Sequence, residues 1–245
     1  MEDIEAPKRF SNPYKVNPHE LAQIACNEVK HFLSNQSTIP HNFGLGKHSE
    51  IKPIGKMFGV LVVENEDNSI GYITAFSGKL AGGNHHAHFV PPVYDALTEG
   101  SFVNVGMTEL TEINQEITKL REDNSNEGLG KLKTAIDNRR IHCTAILDKI
   151  VDSYFFLNSD GITLGLREIF EKKLNKKPPG GAGECALPKL LQFAFLNKLK
   201  PIATAEFWWG KTDKAKVMNH GEYYPSCTDK CEPILEHMLS GIELE

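Results

Sequence analysis

Hydrophobic positions along the chain fall into segments with distinct periods. Between 19 and 35, Leu21, Ile24, Ala25, Val29, Phe32 and Leu33 recur at three- and four-residue spacing, which predicts an amphipathic helix. Asn17-Pro18 fits an N-cap followed by a proline in the first turn. Next come a nearly continuous apolar run at 57–63 (MFGVLVV) and a second apolar segment at 70–76 (IGYITAF), joined by the polar stretch 64–69. This pattern predicts a β-hairpin whose first strand is buried on both faces. Glycine and proline punctuate 77–106, which reads as loop and turn. From 108 onward Glu, Lys, Asn, Leu and Ile recur at helical spacing, without an aromatic residue up to 150. Two helices are predicted there, about 108–122 and 127–150, paired as a protruding arm.

Globular character returns at 153–173, with a turn at 158–161 and a helix around 164–173. The loop PPGGAG at 178–183 leads into a helix predicted over 184–199, whose start is fixed near Glu184 because Pro188 is tolerated only close to the first turn. A strand is predicted at 201–208 (PIATAEFW), a polar connection at 209–224, and a last helix at 227–238. The predicted fold is α/β, a helix-hairpin-helix-strand-helix core with an inserted helical hairpin. It forms one domain over 1–245, with core segments 10–106 and 151–240 and an arm at 107–150.

A length of 245 residues suits one sizeable domain, and 40% hydrophobic with 24% charged residues is ordinary for a globular chain. The net charge of -5 gives no basic footprint, so no DNA partner is expected, and any RNA contact must rest on local patches. No run of about 18 apolar residues occurs, so no transmembrane helix is expected. The acidic, polar start MEDIEAPKRF lacks the apolar stretch of a signal peptide. Five cysteines are an odd number in such a chain, which predicts a reducing, cytoplasmic setting without a disulfide framework. Its cysteines are then core residues, metal ligands or nucleophiles.

Three of them belong together. Cys185 lies at one predicted helix start, and Cys227 and Cys231 share a face at another. If the strand at 201–208 joins them in a parallel α/β arrangement, both starts lie at one sheet edge and three thiolates converge. Helix N-termini stabilise thiolates, and zinc is the metal this sulfur set favours. The alternative is three unrelated cysteines, two of them half-exposed, since C-x3-C is looser than the usual C-x2-C.

The order of elements with thiols at two helix starts resembles the zinc nucleobase deaminases, whose signature places a Glu two residues after the first ligand and closes with P-C-x-x-C. Here the Glu position holds Leu187, the nearest carboxylate, Glu184, precedes the cysteine, and Pro225 through Cys231 is one residue too long. An independent zinc-dependent nucleoside or base deaminase would therefore act through Glu184 or Glu206.

Other candidates are weaker. His85, His86 and His88 in a glycine-rich loop could hold a metal or phosphate. His220 precedes Cys227 and could supply a fourth ligand. Trp208 and Trp209 at a strand end could stack on a base. Gly180 to Gly183 before a helix resembles a phosphate cradle but lacks the lysine of a P-loop.

A set of longer segments carries a second resemblance. FGVLVV at 58–63, AFSGKL at 75–80, HFVPP at 88–92, GAGECA at 181–186, PKLL at 188–191, AEFWWG at 205–210 and CTDKCEP at 227–233 together resemble the N-terminal region that precedes the catalytic domain in long bacterial RluA-type pseudouridine synthases. The resemblance runs from about Phe10 to Leu239 and is weakest in the arm. The Arg-Leu-Asp segment that carries that family's catalytic Asp does not occur in this sequence. The resemblance implies an accessory, non-catalytic role in RNA modification, with ribosomal RNA or a synthase catalytic domain as partner. A third expectation is a purely structural module whose arm grips a partner.

Overall fold

The computed structural model describes residues 4–46, 52–123, 125–212 and 218–245. Part of the connection expected at 209–224 therefore lies outside the described residues, as does part of the loop before the hairpin. The chain divides into two compact units. One comprises Met1–Val93 with Phe155–Glu245, the other Tyr94–Tyr154.

The first unit is built on α1 (Glu20–Asn35) and the hairpin β1 (Lys56–Glu64) and β2 (Ile70–Phe76), then β3 (Phe155–Leu157), β4 (Thr163–Gly165) and α4 (Leu166–Leu174). It ends with α5 (Ala186–Leu196), β5 (Lys200–Trp209), β6 (Tyr223–Tyr224) and α6 (Thr228–Met238). The main sheet has the order β2-β1-β5-β6, and all three of its pairings are antiparallel. The parallel arrangement expected around the 201–208 strand is thus not found. β3 and β4, too short for a sequence period to reveal, form a separate small hairpin.

The continuous apolar run of β1 has the expected reason. Phe58, Val60 and Val62 pack with Ala25, Cys26 and Val29 of α1 on one face of the sheet. Gly59 faces α5 on the other, where a Cβ would meet the Ala186 Cβ at 2.9 Å. A side chain at 59 would push α5 away, so glycine sets the close approach of the helix start to the sheet. The α1 start differs from the sequence expectation. Its N-cap is His19, whose ring nitrogen accepts the Leu21 N–H at 3.3 Å.

Residues 10–14 form a strap across this unit. Phe10 pairs with Leu244, and the Ser11 hydroxyl accepts the Thr204 N–H at 2.8 Å. The Pro13 carbonyl accepts the Ser226 N–H at 2.9 Å. The last of these bonds fixes the strap beside the start of α6.

The second unit holds α2 (Phe102–Leu120) and α3 (Asn126–Asp152), the expected helical pair. α2 begins earlier than its polar periodicity predicts, because Ser101 caps it by accepting the Asn104 N–H at 3.2 Å. Gly106 lets the helices approach: a Cβ there would lie 2.6 Å from Ile146 Cδ1. No helix among the described residues is long and apolar enough to cross a membrane.

Candidate metal centre

α5 begins immediately after Cys185, its N-cap residue, and α6 immediately after Cys227, likewise an N-cap. Because β5 returns antiparallel to β1 and β6 reverses again, the two helix starts meet without the parallel crossover expected from sequence. The sulfurs of Cys185, Cys227 and Cys231 all lie within 4.8 Å of one another. Among the described residues this is the one group with such ligand spacing. The C-x3-C spacing works because an N-cap residue and the residue four further on sit on one side of the first helical turn. All five cysteines are free thiols.

The surroundings favour a thiolate at Cys227. The N–H groups of Lys230 and Cys231 face the Cys227 sulfur, and the Gly183 N–H faces that of Cys231. The neighbouring thiols of Cys185 and then Cys231 hold the Cys227 pKa far below its usual value, aided by those N–H groups against the effect of burial. The same contacts work in reverse at Cys185, where the proton is retained: Cys227, Cys231 and burial raise its pKa, in that order. At Cys231 the contact with Cys185 lowers the pKa, but Cys227 and burial outweigh it and push the value up to about 12. A divalent cation would take the place of the shared protons.

A tetrahedral zinc with bonds of about 2.3 Å needs sulfurs about 3.8 Å apart, so the observed spacing requires little closure. Three sulfurs, one fully buried and two half-buried, with backbone N–H groups aimed at them, fit zinc.

Glu206 enters this site from β5. It is buried, bonds the Ser226 side chain and the Leu187 N–H, and lies within electrostatic reach of Cys227. Burial pushes its pKa up to about 7, against the lowering effect of the two bonds. Glu184, the other expected carboxylate, acts instead on Lys56 and Lys189, and its carbonyl accepts the Gly78 N–H at 2.8 Å.

Lys189 was not singled out as a site residue by sequence. It is buried, and its ammonium donates to the carbonyls of Phe76 at 2.9 Å and Gly78 at 3.0 Å while sitting over the Phe76 ring. Burial lowers its pKa to about 8, against the raising effects of Glu184 and then Cys185. One positive charge thus lies one helical turn from Cys185. The signal was present in the PKLL segment, but a lysine on the stripe of a buried helix reads as a solvated neighbour until its partners, more than a hundred residues away, are known.

The remaining candidates lie apart from the thiols. His86 bonds the Leu80 carbonyl at 2.7 Å, and the His88 ring packs against Phe32 at 4.9 Å; among the described residues neither they nor His85 join a ligand group. His220 accepts the Gly210 N–H at 3.0 Å and packs on Trp209 rather than joining the sulfurs. Trp209 is buried in the core, and Trp208 is half-buried with its ring against Gly55, so the pair does not form an open stacking platform. The 180–183 loop is held by Lys230, which donates to the Gly180 carbonyl at 2.8 Å.

Comparison with known proteins adds no relative: no family model, curated protein or solved structure matches the chain.

Proposed function

We propose that this chain is a thiolate-metal domain, holding zinc on Cys185, Cys227 and Cys231, that acts as an accessory module in RNA modification. The convergence of three sulfurs from two helix starts carries the metal part. Zinc here ties the start of α5 to the start of α6. The RNA part is supported by the segments from Phe58 to Pro233 that resemble the N-terminal region of RluA-type pseudouridine synthases, with ribosomal RNA or a synthase catalytic domain as partner. Elemental analysis of protein purified without chelator tests the first, with about one zinc per chain expected. Filter binding to ribosomal RNA fragments at physiological salt tests the second, and binding no stronger than that of a control domain counts against it.

A second reading, a zinc-dependent nucleoside or base deaminase, is favoured by Glu206. The order of elements resembles that fold, and three thiolates leave a fourth coordination position open. Zinc would supply Lewis acidity, and Glu206, buried beside Cys227, would hold and release a proton at its carboxylate. Ammonia release from nucleosides or bases by the wild-type chain, lost in Glu206→Gln, would support it; no release from any of them would remove it.

A further inference from the structure

A cleft of about 670 Å³ opens in the first unit, between residues 6–10, the turn that joins β3 to β4 and the link from α5 to β5. Its volume lies in the range of small-molecule sites. One side is apolar, with Phe195, Leu199 and Ile242 half-buried along it and Ile202 buried. The cleft also carries four cations, Lys8, Arg9, Lys198 and Lys200, and two carboxylates, Glu64 and Glu243. Cations thus exceed carboxylates by two, in a chain whose net charge is -5.

Both carboxylates are taken: Glu243 pairs with Arg9 at 3.1 Å and Glu64 with Lys200 at 2.7 Å. Lys8 and Lys198 have no side-chain partner among the described residues. Asn158 is 3% exposed and lines the same cleft. Its Oδ1 accepts the N–H groups of Asp160 at 3.0 Å and Ile162 at 2.7 Å, which fixes the orientation of the amide. Its NH2 group has no acceptor among the described residues, so the unused charged and amide groups of the cleft are all donors. The backbone at Lys198 adds a second observation. The chain turns out of α5 through this residue at φ 56°, and the Leu199 N–H then donates to the Ala194 carbonyl at 2.8 Å. Glycine is the usual residue at such a helix end, because a side chain is strained in the left-handed region. A lysine here bears that strain and sets a cation on the cleft.

We propose that this cleft binds a small organic anion. Its carboxylate or phosphate head meets the ammonium groups of Lys8 and Lys198 and the amide of Asn158, and its apolar body lies along Phe195, Leu199 and Ile242. An anionic head satisfies donors that have no acceptor of their own, and hydrogen bonds to a charged group are stronger than neutral ones. The apolar body leaves water on the opposite side of the same cleft. This site is independent of the metal reading, since none of the three clustered cysteines lines it.

Isothermal titration of the full chain with octanoate and with octyl phosphate tests the site, with octan-1-ol as the neutral probe of the same length. At least one anion should bind one to one, and octanol about 10-fold or more weakly than that anion. The tighter anion identifies the head. Lys198→Gly relieves the backbone and removes the cation, so Tm should rise while anion affinity falls about 10-fold. Asn158→Asp keeps both accepted bonds and replaces the donor with a negative charge, and should also weaken the anion about 10-fold or more. Lys172→Gln, on α4 and paired with Glu168, should bind as the wild type does. No saturable binding of either anion overturns the inference, as does octanol binding as tightly as the anions. Wild-type affinity in both Lys198→Gly and Asn158→Asp overturns it as well, because the anion then sits elsewhere.

Discussion

The carboxylate of Glu206, on the third strand of the main sheet, accepts the backbone N–H of Leu187, in the first turn of α5. Leu187 stands where the deaminase signature would place a glutamate. The helix therefore offers an apolar side chain at that position, while a carboxylate from a strand arrives at its backbone. The group lies buried at the positive end of a helix and is bonded also by Ser226.

That burial has a pH signature. The folded chain keeps a proton on Glu206 up to about 7, whereas the unfolded chain releases it near 4.5. Stability from this group is therefore full below 4.5 and is lost as pH rises through 7, by about 3 kcal/mol in total. Urea denaturation between pH 4.5 and 7.5 should show Glu206→Gln gaining on the wild type as pH rises. Parallel curves for the two proteins would contradict the burial.

Serine at any one of Cys185, Cys227 or Cys231 should abolish stoichiometric zinc, and should lower Tm only in the metal-loaded protein. Serine at Cys143, in the helical hairpin, serves as the control and should leave zinc content unchanged. Native mass spectrometry reads both.

Gly59→Ala should destabilise the chain by about 1–3 kcal/mol, as overpacking does. The added methyl would lie 2.9 Å from the Ala186 Cβ and 3.3 Å from Leu190 Cδ1, neither of which can swing clear without moving α5. Chemical denaturation gives the loss. Because α5 carries Cys185 at its start, zinc affinity should fall in the same variant.

Gly106→Val tests the hairpin. Its Cβ would lie 2.6 Å from Ile146 Cδ1 and 2.9 Å from Cγ1, which forces α2 and α3 apart. Proteolysis should become faster within 94–154, with zinc content unchanged. A fall in zinc content would show that the metal centre depends on the hairpin.

Much of the architecture was legible because its periods are strong. β1 declares itself by being apolar on both faces, α1 by its stripe, and the hairpin helices by their change of composition. The start of α2 was hidden because Gly100 and Gly106 look like loop, while the Ser101 cap lies among turn residues. The direction of β5 against β1 has no local signature, since a buried strand reads alike in parallel and antiparallel sheets. The cysteine cluster survived that error because its assembly depends on two helix starts, which the proline positions fix. Ser226 and Lys189 were not legible as site residues. Each acquires its role from partners far away in sequence, and alone each is an ordinary loop or helix residue.

The strap has a consequence for the order of folding. Ser11 and Thr204 are 193 positions apart, yet their bond helps hold the segment that carries Tyr14 against α6. Closing so long a loop is entropically late, and a contact of that range forms slowly. A growing chain could place Cys185 early, but the three sulfurs meet only once the segment following β6 has emerged. Metal uptake would then mark the end of folding, so a kinetic trace of zinc capture should lag the appearance of helical signal.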